Sequence, residues 1–564
     1  CFVRINQVGY LSHGSKLAHV ISTTPLSSTS SPSCTLLFGS TVMWSGVLQR
    51  ASGEWNTRFS HVYLCDFSAF ESTGDNSSNY FSIAISSSSS SCSARSSTFS
   101  IHKTASELYG PLLENALFFF QAQRDGSDVN SSVIKRKPSH LMDRSATVFL
   151  QPVYNDSVLH GKLIPAAGFD LVDVEGGIFD AGDYLKFVQT ASYVIALQLL
   201  IVRDYPHETG DRWLNESMRG VSWLSKMWNH KDQTLLYQVG IGDGNDQITG
   251  DHDLWRLPEE DDALNVQSDD PLWFIKHRPA FLSGPAGSPI SPNLAGRLAA
   301  VFALCFQITK QQECLDSAKT MFSLAQTKDP PRQLLTTSPF DYYPETEWFS
   351  DMELGAIELY SASLIAGDTV SAQEYLSLAI HWANRYVDEN KQMDIPNLYD
   401  VAGISHYEVA RVAIQTGDKQ TFNRLLTNMK SCLDNANMIA SKDPFGLGIS
   451  YGEGGDIVPE VIGGVHDPTT ESAGVYPHCP QHQIDNLVNI RLLGAVVDGP
   501  NQNHEVESPD AARKCPEDGS DPMKPFNRNK WKYIDNVGSW ASNEPADDYV
   551  AISLIAFADL IHHP

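Results

Sequence analysis

The chain has 564 residues, of which 42% are hydrophobic and 19% are charged, and its formal net charge is −27. This length predicts at least two domains, one of them with a large core. The acidic balance disfavours a polyanionic partner such as nucleic acid or an anionic membrane surface. The longest apolar stretch, 196–202, is too short to cross a bilayer, so no membrane segment is predicted.

The first residue is Cys1 rather than methionine, which indicates a processed or trimmed N-terminus that would hide a secretion signal. Asn-X-Ser sequons, typical of a glycosylated secreted protein, stand at Asn76, Asn130, Asn155 and Asn215. We therefore expect a secreted, extracellular glycoprotein.

The nine cysteines lack the paired short spacings of a zinc site or a redox motif. Some of them could form disulfides, and the odd count leaves at least one thiol over unless it pairs between chains. The candidates for pairing are Cys34, Cys65, Cys92, Cys305, Cys314, Cys479 and Cys515. Their connectivity cannot be derived from spacing.

Residues 1 to about 102 are rich in Ser and Thr and alternate apolar with polar side chains, as in Phe81–Ile85. A period of two is that of a β-strand, and short strands between turn-rich gaps predict a β-sandwich. The sequence of this region contains no candidate catalytic residues. Its expected role is to support the second domain.

From Thr104 the apolar period becomes helical, because residues such as Leu108, Leu112 and Ala116 recur four positions apart. Further helices are predicted at 190–204, 212–229, 292–309, 312–327, 349–366, 370–388, 401–416, 419–440, 484–495 and 546–562. Long helices in succession with no strands between them predict an all-α domain. We expect no parallel β-strands within 105–564.

The stretch Gly176–Phe187 sets two carboxylates, Asp180 and Asp183, three residues apart among glycines and aromatic rings. Gly177 and Gly182 would allow sharp turns, and the flanking rings would wall a cleft. Such a pair suits acid–base chemistry. Spacing alone also fits a helix N-terminus capped by Asp183 or a calcium loop.

A second carboxylate centre, Glu544, lies near the C-terminus. It stands between Trp540–Asn543 and an apolar helix predicted from Val550 to Ile561, which would anchor its backbone. The same position also fits an ordinary glutamate in the first turn of a helix.

Together these two stretches resemble glycoside hydrolase family 9, inverting enzymes best known as cellulases with an (α/α)6 barrel. The Asp-Ala-Gly-Asp loop of the family stands here as Asp180–Asp183. Its C-terminal signature is matched at Tyr533, Asp535, Trp540, Glu544, Ala546 and Ala551. Val550 stands where the family usually has asparagine.

The opening residues Val3–Leu11 resemble the first strand of the immunoglobulin-like domain that precedes many family 9 catalytic domains. The resemblance implies a multidomain protein, with an immunoglobulin-like β-sandwich over 1–102 and an all-α (α/α)6 barrel over 103–564. The predicted helices are one short of six pairs, and the gap lies between Lys442 and Ile484.

The loops between the predicted helices carry aromatic residues, whose rings can stack on the apolar faces of sugars. Trp255 is the first candidate, with a half-buried loop tryptophan as the alternative. The stretches around Tyr343, Trp348 and Tyr399 resemble other cleft loops of the family, and Tyr549 is a further candidate for substrate binding.

The family also has a histidine motif that holds substrate, which stands here at Tyr476–Gln483 without its usual arginine. The resemblance implies His478 as a sugar ligand and His482 as a second one. No third ligand has fitting spacing for a metal, so no metal ligands are predicted.

Cleavage through an oxocarbenium-like transition state needs an acid for the departing oxygen and a base for water on the opposite face. The resemblance implies Glu544 as the acid and Asp183 as the base, with Asp180 helping to hold the water. The acid must be protonated near the working pH, so we expect a raised pKa for Glu544.

The resemblance thus implies an inverting endo-β-1,4-glucanase acting on cellulose or related β-glucans. The alternatives are an exo-acting β-glucosidase or β-glucosaminidase of the same family, and an inactive carbohydrate-binding relative. The expected partner is a β-linked oligo- or polysaccharide bound by a monomer, without nucleic acid or membrane. No cofactor is required, and a structural calcium ion stays open.

Overall fold

The structure is a computed structural model that describes residues 1–6, 8–26, 32–51, 54–71, 81–86, 92–129, 134, 136–155, 157–389, 393, 396–442, 450–451, 456–457, 460–461, 479, 481–483, 495–497, 506, 515, 524–526, 532–534 and 536–562. The predicted helix 484–495 and the helix gap between 442 and 484 therefore lie almost wholly outside the described residues. No helix in these ranges is both long and apolar enough to cross a membrane.

The N-terminal region contains two antiparallel four-stranded sheets. The first has the order Phe2–Arg4, Leu17–Ser22, His61–Asp66, Gln49–Arg50, and the second Thr41–Val47, Ser33–Phe38, Phe81–Ser86, Ser93–Arg95. Alternate residues of Ser33–Phe38 are buried, as expected for a strand with one face on a core. The predicted β-sandwich is confirmed.

Eight of the nine cysteines form disulfides, namely Cys1–Cys92, Cys34–Cys65, Cys305–Cys314 and Cys479–Cys515. The Cys34–Cys65 bond joins a strand of one sheet to a strand of the other, and so ties the sandwich together across its core. The ninth, Cys432, lies in the helix Lys419–Lys442.

A short strand outside the two four-stranded sheets leads into the first helix. Ile101–His102 pairs in parallel with Tyr10–Leu11, and the helix Ala105–Ala122 follows. Thr104 caps this helix, because its side chain accepts a hydrogen bond from the Glu107 amide while Glu107 bonds back to the Thr104 amide. The domain boundary at residue 102 stays a prediction.

Helices dominate the remainder of the described chain. The long ones are Ala105–Ala122, Val188–Asp204, Pro206–Met227, Pro292–Thr309, Gln312–Ser323, Phe349–Ile365, Thr369–Glu389, Ala402–Thr416, Lys419–Lys442 and Asp547–His562. Pro206–Met227 is kinked at Gly210, whose φ of 60° is not helical, so its long segment begins close to the predicted start at 212. Most other bounds also agree within a few residues. Val188–Asp204 and Pro292–Thr309 are buried along most of their length and form the centre of the core.

Two contacts bring distant parts of the helical region together. The helix Asp547–His562 packs against Ala105–Ala122 and Val188–Asp204, so the C-terminal end of the chain lies beside the start of the helical region. Pro292–Thr309 and Phe349–Ile365 approach closely at Gly296, where a Cβ atom would lie 2.5 Å from the carbonyl carbon of Asp351.

The helical region also contains a five-stranded sheet that the sequence pattern did not predict. Its strands are Val148–Phe149, Ala280–Leu282, Thr234–Val239, Lys186–Phe187 and Trp228–Asn229. Val148–Phe149 and Ala280–Leu282 are parallel, so the expectation of no parallel strands within 105–564 is wrong, and the region is helix-rich rather than all-α. Thr234–Val239 is buried at every position and shows no period of two, and the other strands are too short to show any period.

Candidate active site

The acidic loop, Gly176–Phe187, carries both predicted aspartates and is fixed at its two ends. At its start Gly177 adopts a φ of +85°, and a Cβ atom there would lie 2.8 Å from the ring of Trp223. At its end Lys186–Phe187 pairs with the buried strand Thr234–Val239. The loop is therefore held between a helix and the sheet.

Lys186, a buried lysine near the end of the acidic loop, anchors the loop to the core. The Lys186 ammonium donates to Asp125 at 2.7 Å, to Asp143 at 2.9 Å and to the carbonyl of Gly176 at 2.8 Å. Burial opposes ionisation of Asp125, but the charges of Lys186 and His140 hold its pKa well below the usual range. The ion pairs thus fix the loop to the rest of the core.

A second buried ion cluster ties the acidic loop to the neighbouring loop around residue 251. The Arg256 guanidinium donates to Asp251 at 2.7 Å and to Asp261 at 2.6 Å. Asp251 in turn accepts from the backbone amide of Tyr184 at 2.7 Å, and the Tyr184 hydroxyl donates to the Arg256 carbonyl at 2.6 Å. The two loops cannot shift independently.

Glu544 lies against the acidic loop. Its Oε1 accepts a hydrogen bond from the Gly182 amide at 3.0 Å, across 362 positions of sequence. The segment 481–483 completes the contact, because the Gln483 amide donates to the Gly182 carbonyl at 3.2 Å and the Gln481 amide to the Asn543 carbonyl at 3.0 Å. The two predicted carboxylate centres therefore belong to one site.

Glu544, Asp548 and Asp180 have raised pKa values. Burial, and then the charge of Asp183, raise the pKa of Glu544 to about 7. Burial raises the pKa of Asp548 to about 7. Burial also raises the pKa of Asp180 well above its usual value, although the Tyr343 hydroxyl donates to its Oδ2. The raised pKa expected for Glu544 is thus present.

Asp183 has a different environment from the other acids. Its Oδ2 lies 2.5 Å from Nε2 of His252, whose Nδ1 lies 3.2 Å from Oδ1 of Asp243. Burial alone would lower the pKa of His252, but its hydrogen bonds to Asp183 and Asp243 raise it well above the usual value. Asp183 therefore faces a cation, whereas Glu544 faces a buried and negatively charged surrounding.

The predicted aromatic ligands occupy different positions. Tyr343 reaches the site, since it bonds to Asp180. Trp255 is 8% exposed, and within the described chain its indole Nε1 has no hydrogen-bond partner. Trp348 is 9% exposed and packs in an aromatic cluster, 4.4 Å from the ring centre of Phe349 and 5.2 Å from that of Trp382. The described contacts of Trp348 are those of a core residue.

His482 lies behind the acidic loop instead of lining a groove. It is fully buried, and its Nε2 lies 2.9 Å from Oε1 of Gln123. The side-chain amide nitrogen of Gln123 donates to the Ala181 carbonyl at 2.7 Å. Burial lowers the pKa of His482 to about 3, so the ring is neutral. A completely buried ring supports the loop and does not reach a sugar in this conformation.

The remaining predicted ligands are less constrained by the structure. Tyr399 and Tyr549 are half-buried, and Tyr549 follows Asp548 directly in the C-terminal helix. His478 lies outside the described residues.

His252 and Asp243 were not predicted as site residues. His252 lies in the same stretch as Trp255, but its contact with Asp183 spans 69 positions and has no signature in spacing. Tyr342 belongs to the predicted cleft loop around Tyr343, and its hydroxyl lies 3.1 Å from Nδ1 of His252.

The carboxylates of Asp180 and Asp183 each contact a side-chain hydrogen-bond donor. Both carboxylates accept hydrogen bonds from side chains, Asp180 from Tyr343 and Asp183 from His252. Across the described ranges, no group of three or more His, Cys, Asp or Glu side chains is arranged to hold a metal ion.

The contact at Gly182 predicts that even one methyl group there disrupts the site. A Cβ atom would lie 2.2 Å from the Gln481 carbonyl oxygen and 3.0 Å from Oε1 of Glu544. Gly182→Ala should therefore destabilise the protein by about 1–3 kcal/mol in denaturant unfolding. Gly110→Ala is the control, because its nearest neighbour is 4.0 Å away and alanine favours a helix. Equal stability of Gly182→Ala and the unmutated protein would contradict the close contact.

Two family models match the chain. Residues 109–451 match glycosyl hydrolase family 9, and residues 2–77 match the cellulase N-terminal ig-like domain. The first range includes Asp180 and Asp183 but ends before Glu544, so the position of Glu544 rests on the geometry above.

Plant endoglucanases are among the similar curated proteins. Endoglucanase 18 of Arabidopsis thaliana is 28% identical over 224 residues, which is 38% of each chain. Endoglucanase 5 of Oryza sativa subsp. japonica is 24% identical over 290 residues, 49% of this chain and 45% of that protein. The chain thus spans less than half the length of these relatives.

Solved structures resemble the chain over almost its whole length. A metagenome-derived glycoside hydrolase family 9 endoglucanase has a TM-score of 0.64 at 17% identity, covering 99% of this chain and 98% of that one. A mutant thermostable endoglucanase from Alicyclobacillus acidocaldarius has a TM-score of 0.65 at 17% identity, covering 99% of both chains. These likenesses support the fold. Because the first family model spans residues 109–451, well over half of the 564 residues, the protein belongs to glycosyl hydrolase family 9.

Proposed function

We propose that the protein is an inverting endo-β-1,4-glucanase that hydrolyses cellulose or a related β-glucan. One observation carries the proposal. Glu544, with a pKa of about 7, is hydrogen-bonded to Gly182 in the loop that contains Asp180 and Asp183. An acid and a base from distant parts of the chain meet there, as hydrolysis of a glycosidic bond requires.

Glu544 is the general acid of this proposal. A pKa of about 7 leaves much of the carboxyl group protonated near neutral pH, ready to donate to the departing glycosidic oxygen. Its Oε1 is held by the Gly182 amide, so Oε2 remains for the proton. Removing the proton source should affect turnover far more than sugar binding.

Asp183 is the general base, and Asp180 helps to hold the attacking water. Nε2 of His252 lies 2.5 Å from Oδ2 of Asp183 and holds the proposed base in place. Tyr343 fixes the Asp180 carboxyl beside it. Inversion needs the carboxyls of Asp183 and Glu544 to stand about 6.5–9.5 Å apart, with room for one water.

The finer architecture belongs to the same proposal. The helices would form an (α/α)6 barrel over 103–564, supported by the packing of the C-terminal helix on Ala105–Ala122.

The acids of the chain suffice for the chemistry, so we propose no cofactor. Exposed Asn155 and Asn215 support a secreted glycoprotein, and we propose that it acts as a monomer.

Hydrolysis of cellopentaose, followed by proton NMR of the new reducing end, tests the proposal. We expect the α-anomer first, from bonds within the chain. Release of single units from one end would favour the exo-acting alternative, and a β-anomer would contradict inversion. Binding without turnover by the unmutated protein would favour the inactive relative.

Replacement of the acid tests the role of Glu544 directly. Glu544→Gln should lower kcat by at least about 10²-fold, because an amide cannot supply the proton, while Kd for cellopentaose changes little. Glu260→Gln is the control, since it removes an exposed carboxylate outside the site. Full activity of Glu544→Gln would overturn the assignment.

The raised pKa of Glu544 also predicts the pH dependence of the rate. The acid is protonated below its pKa and loses its proton as the pH rises through about 7. The rate constant kcat/KM for cellopentaose should therefore fall on the alkaline side of about pH 7. An unchanged rate up to pH 9 would show that Glu544 is not the essential acid.

A further inference from the structure

His252 lies between two carboxylates. Its Nε2 is 2.5 Å from Oδ2 of Asp183, and its Nδ1 is 3.2 Å from Oδ1 of Asp243. A carboxylate only accepts hydrogen bonds, so both ring nitrogens must donate, and this requires the protonated imidazolium. One carboxylate belongs to the proposed chemistry, and the other has no role assigned so far.

We propose that Asp243 is a positioning residue, which holds the protonated ring of His252 so that Nε2 points at the proposed base Asp183. The inference rests on the proposed function for the role of Asp183. It adds the residue that fixes the partner of that base.

The surroundings of the imidazole favour this orientation. The ring of Tyr342 lies against the imidazole, with 4.9 Å between ring centres, and its hydroxyl is 3.1 Å from Nδ1. The same hydroxyl accepts from the Asp243 amide at 2.9 Å. Asp243 and Tyr342 thus form one support on the Nδ1 side of the ring.

The backbone around Asp243 allows little adjustment. At Gly242 a Cβ atom would lie 2.2 Å from the Tyr342 hydroxyl, and at Gly244 one would lie 2.0 Å from the Ile248 carbonyl oxygen. Asp253 holds the same turn, since its Oδ2 accepts from the Gly244 amide at 3.0 Å. Asp243 is therefore presented to His252 by a closely packed turn.

Charge explains what the second carboxylate does. The charged and titratable groups that face His252 are Asp183, Asp243, Tyr342 and, at longer range, Glu544. With Asp243 neutral, only one carboxylate would pair directly with the ring, and the pKa of His252 would fall. A neutral ring could donate from only one nitrogen and would no longer be bound to Asp183 by opposite charge.

The test compares Asp243→Asn with Asp246→Asn in the full-length chain. Both variants remove one negative charge from the same turn, but Asp246 is exposed. The His252 ring is titrated by NMR of protein labelled with ¹⁵N-histidine, and its signal is identified through His252→Gln. In parallel, kcat and KM are measured on cellopentaose.

In Asp243→Asn the pKa of His252 should fall by about one unit or more, the effect of losing one close opposite charge. We expect kcat to fall by about tenfold or more at neutral pH, with KM changed by less than about twofold, because misplacement of a base affects the reaction step. Asp246→Asn should match the unmutated protein in both measurements. Asp243→Glu, which keeps the charge, should retain the raised pKa.

An unchanged titration of His252 in Asp243→Asn would overturn the proposal. So would a lowered pKa combined with unchanged kcat. If the unmutated protein cleaves none of the glucans while the pKa still falls in Asp243→Asn, the proposed function fails and Asp243 positions only the ring.

Discussion

A buried ammonium group fixes the geometry of this protein's site. Lys186 has no exposed surface and donates to two aspartates and to a carbonyl at the start of the acidic loop. Removing one partner of such a buried charge typically destabilises a protein by about 3–5 kcal/mol, because the other charge remains unpaired. The loop is therefore held in one conformation. The positions of Asp180, Gly182 and Asp183 depend on that conformation, and so does the hydrogen bond between the Gly182 amide and Glu544.

The fixed loop places two acids, Glu544 and Asp183, in different electrostatic surroundings. Glu544 is half-buried near other carboxyl groups, and its pKa is raised to about 7. Asp183 faces the protonated ring of His252. It directly follows Gly182, whose amide donates to Glu544. Hydrolysis of a glycosidic bond needs one acid that donates a proton and one base at the same site. The electrostatics and the geometry thus support the same assignment.

Much of this arrangement could be predicted from local sequence. The helices have strong periods, and the Asp180–Asp183 and Glu544 stretches carry a specific signature. The buried strand Thr234–Val239 could not be predicted, because a strand covered on both faces shows no alternation. His252 was missed because its role arises from a contact 69 positions away. Trp348 and His482 are buried, and a motif marks a position without telling whether its side chain faces solvent or core.

The central claim is that Glu544 and Asp183 act on one glycosidic bond from opposite faces. A crystal structure of Glu544→Gln with bound cellopentaose tests it most directly. We expect a glycosidic oxygen within hydrogen-bond distance of residue 544, and a water held by Asp180 and Asp183 on the other face of the sugar. We also expect a separation of about 6.5–9.5 Å between the side-chain groups of residues 183 and 544. A sugar bound elsewhere, or a separation near 5 Å, would contradict the account.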